Sequence, residues 1–331
     1  MIKDKTEKIL KKAEKKQICI IGDVMLDKYL LGEVSRISPE APVQVVDIRK
    51  TVPKLGGAAN VSLNIKTLGA EPFLIGVIGD DIEGETIKNV MKEQNQDTNG
   101  LIVDYKRSTT SKTRVIAASH HLLRIDSESK DDISKDTEDK ILGILKSNSN
   151  KFNIILLQDY NKGVLTKSLI HKIIKFAKEK NIKVLVDPKF ENFFEFKNVF
   201  VFKPNRKELE DAFGRTAKTD DDLISICNEL IKKINCDNLV LTLGEKGIMI
   251  IKNQSGSLKV SSFKTRARKV ADVSGAGDTV ISTLAVCIAG GASVDDAVEI
   301  SNLAAAVVVE EVGIVPIEKK SLLIQINTLN L

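Results

Sequence analysis

Short apolar runs alternate with longer amphipathic segments over most of the chain. The runs are rich in Val, Ile, Leu and Phe, as at residues 18–21, 73–78, 154–157, 184–186 and 239–243. Continuous apolar runs are typical of strands buried on both faces of a sheet. The segments between them, such as 168–180 and 221–234, place apolar residues three or four positions apart with charges opposite, which is typical of helices that cover a sheet. The alternation predicts an α/β, doubly wound fold: a mainly parallel sheet with helices on both faces.

Two segments interrupt this alternation, at about residues 29–50 and 104–125. Both have the composition of extended chain, with prolines or runs of Ser and Thr where a helix would be expected. We expect them to form a small β lid over the carboxyl ends of the main strands, where α/β proteins bind ligands. Because no internal repeat or long Pro/Gly linker divides the chain, we expect a single domain over residues 1–331.

Composition narrows the class of protein. With 42% apolar residues, 29% charged residues and a net charge of +5 over 331 residues, the chain is typical of a globular protein. The basic residues are spread out and matched by acidic ones, and Trp is absent. We therefore expect no nucleic-acid partner, whereas a small anionic substrate suits the charge.

Neither a membrane location nor a metal or disulfide framework is indicated. The first residues contain no continuous apolar stretch of the kind that a secretory signal needs. The most apolar segment, 280–292, is shorter than the ~20 residues of a membrane-spanning helix, so we expect a buried helix there and a cytoplasmic protein with no membrane partner. The cysteines show no CxxC spacing and the histidines no metal-ligand spacing, so we expect reduced, buried thiols.

The segment DVSGAGDT, residues 272–279, carries the strongest chemical signal. It directly precedes the apolar segment, so the amides of Gly275, Ala276 and Gly277 are expected at the positive end of a helix, where the charge of a transferring phosphoryl group is stabilised. Asp278 in the first turn is suited to accept the proton of an attacking alcohol. The alternative is a tight turn followed by an ordinary acidic residue at a helix start.

Two further segments are suited to bind a polyol. In KLGGAAN, Gly56 and Gly57 allow a sugar to lie against the backbone, and Asn60 can donate and accept hydrogen bonds, although this segment could also be an ordinary turn. Asp23 and Asp27 follow the first predicted strand and are suited to hold hydroxyl groups. Asp27 could equally be a plain surface charge.

The second half offers candidate nucleotide and metal ligands. Asn205 and Glu208 lie one helical turn apart and could order a hydrated magnesium ion. Thr242, Gly244 and Gly247 belong to a strand and turn that could form either a nucleotide wall or a hairpin. No GxxxxGK[ST] motif is present, and Val280 stands where a dinucleotide fingerprint has its third glycine.

Taken in order, GGAAN, the Pro204-Asn205-x-x-Glu208 element and DxxGAGD resemble the ribokinase-like, or PfkB, carbohydrate kinases from about residue 18 to 316. The stretches GDVMLDKY, SRISPEAPV, DYNKG, VDPK and DVSGAGDTVI look like the kinase half of heptose-phosphate enzymes. The resemblance implies ATP-dependent phosphorylation of D-glycero-D-manno-heptose 7-phosphate at its anomeric C1 hydroxyl. The product, the 1,7-bisphosphate, would serve heptose precursor synthesis for lipopolysaccharide. The alternative is a kinase of this class for another sugar, sugar phosphate or nucleoside.

The resemblance also implies roles for individual residues. Asp278 would be the base and residues 275–277 the anion hole, while ATP and Mg²⁺ would be the cofactors and a monovalent cation is left open. The sugar would be held by Asp23, Asp27, Gly56, Gly57 and Asn60, magnesium by Asn205 and Glu208, and the nucleotide by Thr242, Gly244, Gly247 and Asn302. A dianion needs basic partners, so Arg36, Lys112, Arg114, Arg124 and Lys189 are candidates for the substrate's existing phosphate.

This sequence departs from the family pattern in three respects. Related bifunctional proteins continue into a nucleotidyltransferase domain with an HxGH motif, which is absent here, so we expect the reaction to stop at the bisphosphate. Ser274 stands where the family usually has Thr, and Gln158 stands where Ser is common. The resemblance further implies a homodimer formed through the lid. A non-catalytic binding module is disfavoured because a binder needs no general base.

Overall fold

The computed structural model describes residues 2–117, 120–254, 257–267 and 269–329. The strands are β1 (Gln17–Gly22), β2 (Val24–Ile37), β3 (Gln44–Gly57), β4 (Glu71–Ile78), β5 (Leu101–Val103), β6 (Thr110–Ala117), β7 (His120–Ser127), β8 (Phe152–Gln158), β9 (Lys183–Asp187), β10 (Val201–Phe202), β11 (Asn238–Thr242), β12 (Ile248–Gln254) and β13 (Ser257–Phe263). The α-helices are α1 (Ile2–Ala13), α2 (Ala58–Thr67), α3 (Ile82–Glu93), α4 (Lys135–Asn148), α5 (Lys167–Glu179), α6 (Arg206–Phe213), α7 (Asp220–Ile234), α8 (Ala276–Ala289), α9 (Val294–Val308) and α10 (Lys319–Thr328).

Nine strands form the main sheet, in the order β13-β12-β11-β10-β9-β8-β1-β4-β5. Every neighbouring pair from β11 to β5 is parallel, whereas β12, near one edge, pairs antiparallel with both β11 and β13. Parallel strands bring their carboxyl ends to the same edge of the sheet. The fold therefore gathers the loops that follow β1, β8, β9, β10 and β11 on one side.

Alternate residues of the central strands bury opposite faces of this sheet. In β1, Ile18 and Ile20 pack into one apolar cluster, with α1, α2, α8, α9 and α10. Cys19 and Ile21 pack into the other cluster, with α4, α5 and α7. Helices thus cover both faces, and the predicted doubly wound α/β fold is confirmed.

Local sequence signals explain where the covering helices begin. Thr166 caps α5 by accepting the Leu169 amide, and Thr219 caps α7 in a reciprocal capping box with Asp222. The apolar segment after DVSGAGDT is the buried helix α8. In the described part of the chain, no helix combines the length and the apolar character needed to cross a membrane.

The expected small second sheet is present, in the order β3-β2-β6-β7. β2 and β3 form a long antiparallel hairpin, β6 lies parallel to β2, and β7 returns antiparallel beside β6. Since β2 begins only two residues after β1 ends, this lid sheet rises directly from the carboxyl edge of the main sheet.

Candidate active site

Polar side chains from several elements converge at the carboxyl edge of the main sheet. Gln158 ends β8, Asp187 ends β9, and Lys203 follows β10 directly. The amino end of α8 faces them and supplies Asp278, while α2, on the same face of the sheet as α8, supplies Asn60. The site therefore draws on segments from both halves of the chain.

Three hydrogen-bond donors fix the carboxylate of Asp278. Asn60 Nδ2 donates to Oδ2 at 2.7 Å, across 218 positions of sequence. Tyr160 Oη donates to Oδ1 at 2.7 Å and Gln158 Nε2 donates to the same oxygen at 3.1 Å. Because each carboxylate oxygen carries two lone pairs, Oδ2 keeps one for a further donor such as an alcohol.

The surroundings adjust the acidity of Asp278 for proton transfer. Burial raises the pKa of Asp278 from 3.8 to about 6, while the hydrogen bonds from Asn60 and Tyr160 act in the opposite direction. The same value includes the effect of Asp187, which raises this pKa, and that of Lys203, which lowers it. With a pKa of about 6 the carboxylate is ionised at neutral pH and is a stronger base than an exposed aspartate.

A buried ion pair lies behind the base. Lys203 Nζ is 3.0 Å from Asp187 Oδ1, and the two side chains are only 3% and 8% exposed. Gln158 Nε2 donates to Asp187 Oδ2 at 3.1 Å as well as to Asp278, so it joins the ion pair to the base. Paired in this way, the two buried charges avoid the cost of an isolated one.

The glycine-rich turn before α8 provides the expected amide end of the helix. Gly275 is the N-cap at a φ of 83°, and the Ala276 amide donates to the Val273 carbonyl at 3.2 Å within the turn. Gly277, one position later, has no partner carbonyl inside the helix. Its open face lies beside Lys203, whose Nζ is 3.7 Å from where a Cβ on Gly277 would stand. This is a positively polarised surface next to the base.

Asp23 lies in the site but is already engaged by backbone. Its carboxylate accepts the amides of Tyr160, Lys162 and Val164 at 2.7, 3.1 and 3.2 Å. Burial raises the pKa of Asp23, and these backbone donors oppose that rise. In this structure Asp23 fixes the loop after β8, whereas the sequence predicted that it would hold hydroxyl groups of a sugar.

Asn60 likewise faces the base instead of an open cleft. Asn64 Nδ2 donates to Asn60 Oδ1 at 3.2 Å and to its backbone carbonyl at 2.8 Å, which directs the Asn60 amide nitrogen at Asp278. Its predicted contact with the sugar stays a prediction.

The other predicted sugar residues lie together where the lid joins the main sheet. Asp27 on β2 forms an ion pair with Arg114 on β6, so this arginine neutralises the carboxylate. Gly56 and Gly57 end β3 beside them. A Cβ on Gly56 would overlap the Asp27 carboxylate, which explains why this position needs a glycine.

The structure separates the five cations predicted for the substrate's phosphate. Lys112 and Lys189 place their Nζ atoms 6.0 and 5.4 Å from the centre of the Tyr160 ring, close to the base. Arg124 is largely exposed on β7 and binds Asp126 through two hydrogen bonds. Arg36 lies near the far end of β2, roughly 30 Å along the strand from Asp27. The sequence alone could not show this separation, because it does not reveal that Asp27 and Arg36 lie on one long extended strand.

Asn205 and Glu208 form a capping box at the start of α6. Asn205 Oδ1 accepts the Glu208 amide at 2.8 Å, and Glu208 Oε2 accepts the Asn205 amide at 2.8 Å. The other oxygen of Glu208 pairs with Lys189. Each oxygen retains a lone pair that could accept a hydrogen bond from metal-bound water, so the donor set fits a hydrated magnesium ion held indirectly. Among the described residues, no group of three or more His, Cys, Asp or Glu is arranged to hold a metal directly.

Of the residues predicted to bind the nucleotide, Thr242, Gly244 and Gly247 lie at the end of β11 and in the turn after it, whereas Asn302 lies on α9. Thr242 ends β11 and forms a bridge with Asn205, at the same sheet edge as the base. Gly244 and Gly247 bracket a short 3₁₀ turn at positive φ, leading into the antiparallel β12, so this segment is a strand–turn–strand unit. Asn302, on α9, donates to the Lys264 carbonyl at 2.7 Å.

Four residues contact the base or its partners, although the sequence had predicted no role for them at the base. They are Gln158, Tyr160, Asp187 and Lys203. Each follows or ends a buried strand; Tyr160 and Asp187 belong to the DYNKG and VDPK stretches, and Lys203 directly precedes the Pro204-Asn205 element. Polar residues at consecutive strand ends were the available signal. Their convergence depends on the strand order β10-β9-β8, which the sequence does not state.

Comparison with known proteins agrees with this geometry. The model of the pfkB family carbohydrate kinases matches residues 15–320. The chain belongs to this family. It is therefore a carbohydrate kinase, a phosphotransferase that acts on a sugar.

Curated relatives of this kinase are named bifunctional protein HldE. The chain is 41% identical over 301 residues to the protein of Aliarcobacter butzleri, which covers 91% of this chain and 62% of the relative. It is 40% identical over 294 residues to that of Geobacter sulfurreducens, with 89% and 59% covered. The chain thus spans about six tenths of the length of these relatives.

Solved structures share the fold at low sequence identity. Phosphofructokinase-2 from Escherichia coli, in complex with potassium, superposes with a TM-score of 0.77 at 17% identity, over 96% of this chain and 99% of that one. Ribokinase from Arabidopsis thaliana, complexed with ribose and ATP, gives 0.73 at 18% identity, over 94% and 98%. These likenesses confirm the ribokinase-like fold.

Proposed function

We propose that this kinase transfers the γ-phosphoryl group of ATP to the anomeric C1 hydroxyl of D-glycero-D-manno-heptose 7-phosphate. The product is the 1,7-bisphosphate, a precursor of the heptose in surface lipopolysaccharide. The observation that carries the proposal is the buried carboxylate of Asp278, held by three donors beside the amide end of α8. The resemblance of GDVMLDKY, DYNKG and VDPK to the kinase half of heptose-phosphate enzymes supports heptose as the sugar.

The geometry supports a single in-line displacement. The substrate hydroxyl donates to the free lone pair of Asp278 Oδ2 and gives up its proton as its oxygen bonds to the γ-phosphorus. The bond from phosphorus to the β–γ bridging oxygen breaks, and ADP leaves. The Gly277 amide and the positive end of α8 stabilise the charge on the transferring group. With a pKa of about 6, Asp278 is ionised at neutral pH and ready to accept the proton.

Magnesium and nucleotide are proposed at the adjacent strand ends. Asn205 and Glu208 would hold a hydrated Mg²⁺, which neutralises phosphate charge when it is bound. Thr242, Gly244, Gly247 and Asn302 are proposed to line the nucleotide. For the sugar we propose Asp27, Gly56 and Gly57, with Asp23 shaping the loop beneath it.

Lys112 and Lys189 are the proposed ligands of the phosphate that the substrate already carries. Both ammonium groups lie beside Tyr160, whose hydroxyl contacts the base. A phosphate on these lysines would therefore lie within the span of one sugar molecule from the reacting hydroxyl. This placement favours a sugar phosphate over a neutral sugar.

A homodimer formed through the lid is also proposed. Leu123 and Ile125 on β7 are 58% and 52% exposed, and Ile37 on β2 is 68% exposed. In register, Leu123 and Ile125 lie opposite Val115 and Thr113, on the face of the lid turned away from Arg114. An apolar sheet face of this kind fits a second copy of the chain. Light scattering should show a dimer that Leu123→Asp converts to a monomer; a wild-type monomer would contradict this part.

The decisive test of the function is ADP release with a panel of acceptors. Heptose 7-phosphate should give the highest kcat/KM, above unphosphorylated heptose, fructose 6-phosphate, ribose and nucleosides. Lys112→Met should raise KM for the sugar phosphate by about tenfold or more, the size expected for one charged hydrogen bond. Lys106→Met, at an exposed turn, is the matched control and should change nothing. Preference for a neutral sugar or a nucleoside would assign the enzyme to another substrate.

A further inference from the structure

Tyr160 occupies a fixed position between the base and the lysines proposed for the phosphate. It lies in the loop that follows β8, and its backbone amide donates to Asp23 at 2.7 Å. The amides of Lys162 and Val164 bind the same carboxylate. Three backbone hydrogen bonds to one buried acid hold this loop in one conformation, so the tyrosine ring has little freedom to move.

The phenol of Tyr160 is a permanent donor to the base. Burial, followed by the charges of Asp278 and Asp187, raises the pKa of Tyr160 well above its ordinary value. The hydroxyl therefore keeps its proton over the whole working range of pH and donates it to Asp278 Oδ1 at 2.7 Å. A hydrogen bond to a carboxylate favours its charged form.

The ring of the same residue contacts two cations. Lys112 approaches it from β6 in the lid and Lys189 from the segment after β9, at 6.0 and 5.4 Å from the ring centre. These distances are within the range of cation–π attraction. One side chain therefore touches the base at its hydroxyl and both candidate phosphate ligands at its ring.

We propose that Tyr160 is a positioning residue of the phosphotransfer reaction: its hydroxyl keeps the Asp278 carboxylate ionised and aimed, while its ring sets Lys112 and Lys189 around the sugar's phosphate. The second half of this inference rests on the proposed function. The first half requires only that Asp278 is the base, whichever sugar is phosphorylated.

Other groups also face Asp278, and the expected effect takes them into account. Asn60 reaches it from α2, Gln158 from β8, Asp187 from the end of β9, and Lys203 from the segment after β10. Asp187 and Lys203 influence its pKa in opposite directions. Removing the phenol hydroxyl leaves two neutral donors and the ion pair in place, so the base should persist with a higher pKa.

Tyr160→Phe is the discriminating variant because it deletes the hydroxyl and keeps the ring. Loss of one hydrogen bond to a charged group corresponds to an upward shift of about one pKa unit. The acid limb of kcat/KM should move upward by that amount, so activity at pH 5 falls about tenfold relative to wild type and recovers near pH 9. Tyr105→Phe, 81% exposed, is the matched control and should leave the profile unchanged.

A uniform loss of activity at every pH, with the limb unmoved, would mean that Tyr160 only packs and would overturn the inference. A second measurement does not depend on turnover. The carboxyl-carbon chemical shift of Asp278, assigned by its loss in Asp278→Asn, should titrate with a higher midpoint in Tyr160→Phe than in wild type; equal midpoints would also overturn the inference.

The two proposals can fail separately. If heptose 7-phosphate is not phosphorylated, the proposed function fails, while the titration of Asp278 still decides the role of the hydroxyl. For the ring, Tyr160→Leu should raise KM for the phosphorylated sugar beyond the change seen with Tyr160→Phe. Equal KM values for the two variants would refute the role of the ring.

Discussion

The buried ion pair between Lys203 and Asp187 leads to a prediction about both the unfolding free energy and the pH dependence of activity. Their side chains are 3% and 8% exposed, and Nζ lies 3.0 Å from Oδ1. Lys203→Met removes the cation and leaves the Asp187 carboxylate buried with one neutral donor, Gln158. Breaking a pair this deep should cost ~3–5 kcal/mol of unfolding free energy, because the remaining buried charge loses its ion-pair partner.

A double-mutant cycle separates the pair from its packing. Asp187→Asn should also be strongly destabilising, since it strands the ammonium. The double variant should cost less than the sum of the singles by about 2 kcal/mol or more, because neither member of the ion pair is left without the other. The measurement is urea unfolding followed by circular dichroism, comparing transition midpoints at a common slope.

An exposed ion pair serves as the control. Lys140 lies 2.6 Å from Asp136, four residues earlier on α4, with side chains 56% and 75% exposed. Lys140→Met should leave the transition midpoint almost unchanged, because an exposed ion pair contributes little to stability. If Lys203→Met costs as little as Lys140→Met, the pair is not desolvated and the reasoning fails. Since Lys203 lowers the pKa of Asp278, its loss should also move the acid limb of activity upward.

Three further predictions concern the base, a glycine contact and the thiols. Asp278→Asn should lower kcat by about 10²–10⁴-fold, while calorimetry should show that ATP affinity is retained; normal turnover by the variant would exclude Asp278 as the base. In the wild type, kcat/KM should decrease as the pH drops below about 6, because the base then takes up a proton. Gly56→Ala should raise KM for the sugar in steady-state assays because a Cβ would collide with the Asp27 carboxylate, whereas Gly143→Ala, which meets nothing within 4 Å, should leave KM unchanged. Burial raises the pKa of Cys227, Cys236 and Cys287 to about 12 and that of Cys19 further, so thiol reagents at pH 8 should label the protein only after unfolding; rapid labelling of the folded protein would contradict their burial.

The sequence by itself determined the features that depend on neighbouring residues. Apolar runs and amphipathic segments gave the parallel sheet and its covering helices, because side-chain periodicity reports the faces that a segment buries. The glycine-rich turn placed Asp278 in the first turn of α8. The spacing of Asn205 and Glu208 is that of a capping box, which needs only one helical turn.

Tertiary structure alone decided which distant residues meet. Asn60 and Asp278 are 218 positions apart, and they face each other because α2 packs against α8 on one face of the sheet. The order of the central strands brings Gln158, Asp187 and Lys203 to one edge, and the length of the lid hairpin carries Arg36 away from Lys112. Strand order and hairpin reach follow from long-range packing of the whole chain, so local pattern could name the chemistry of these residues but not their partners.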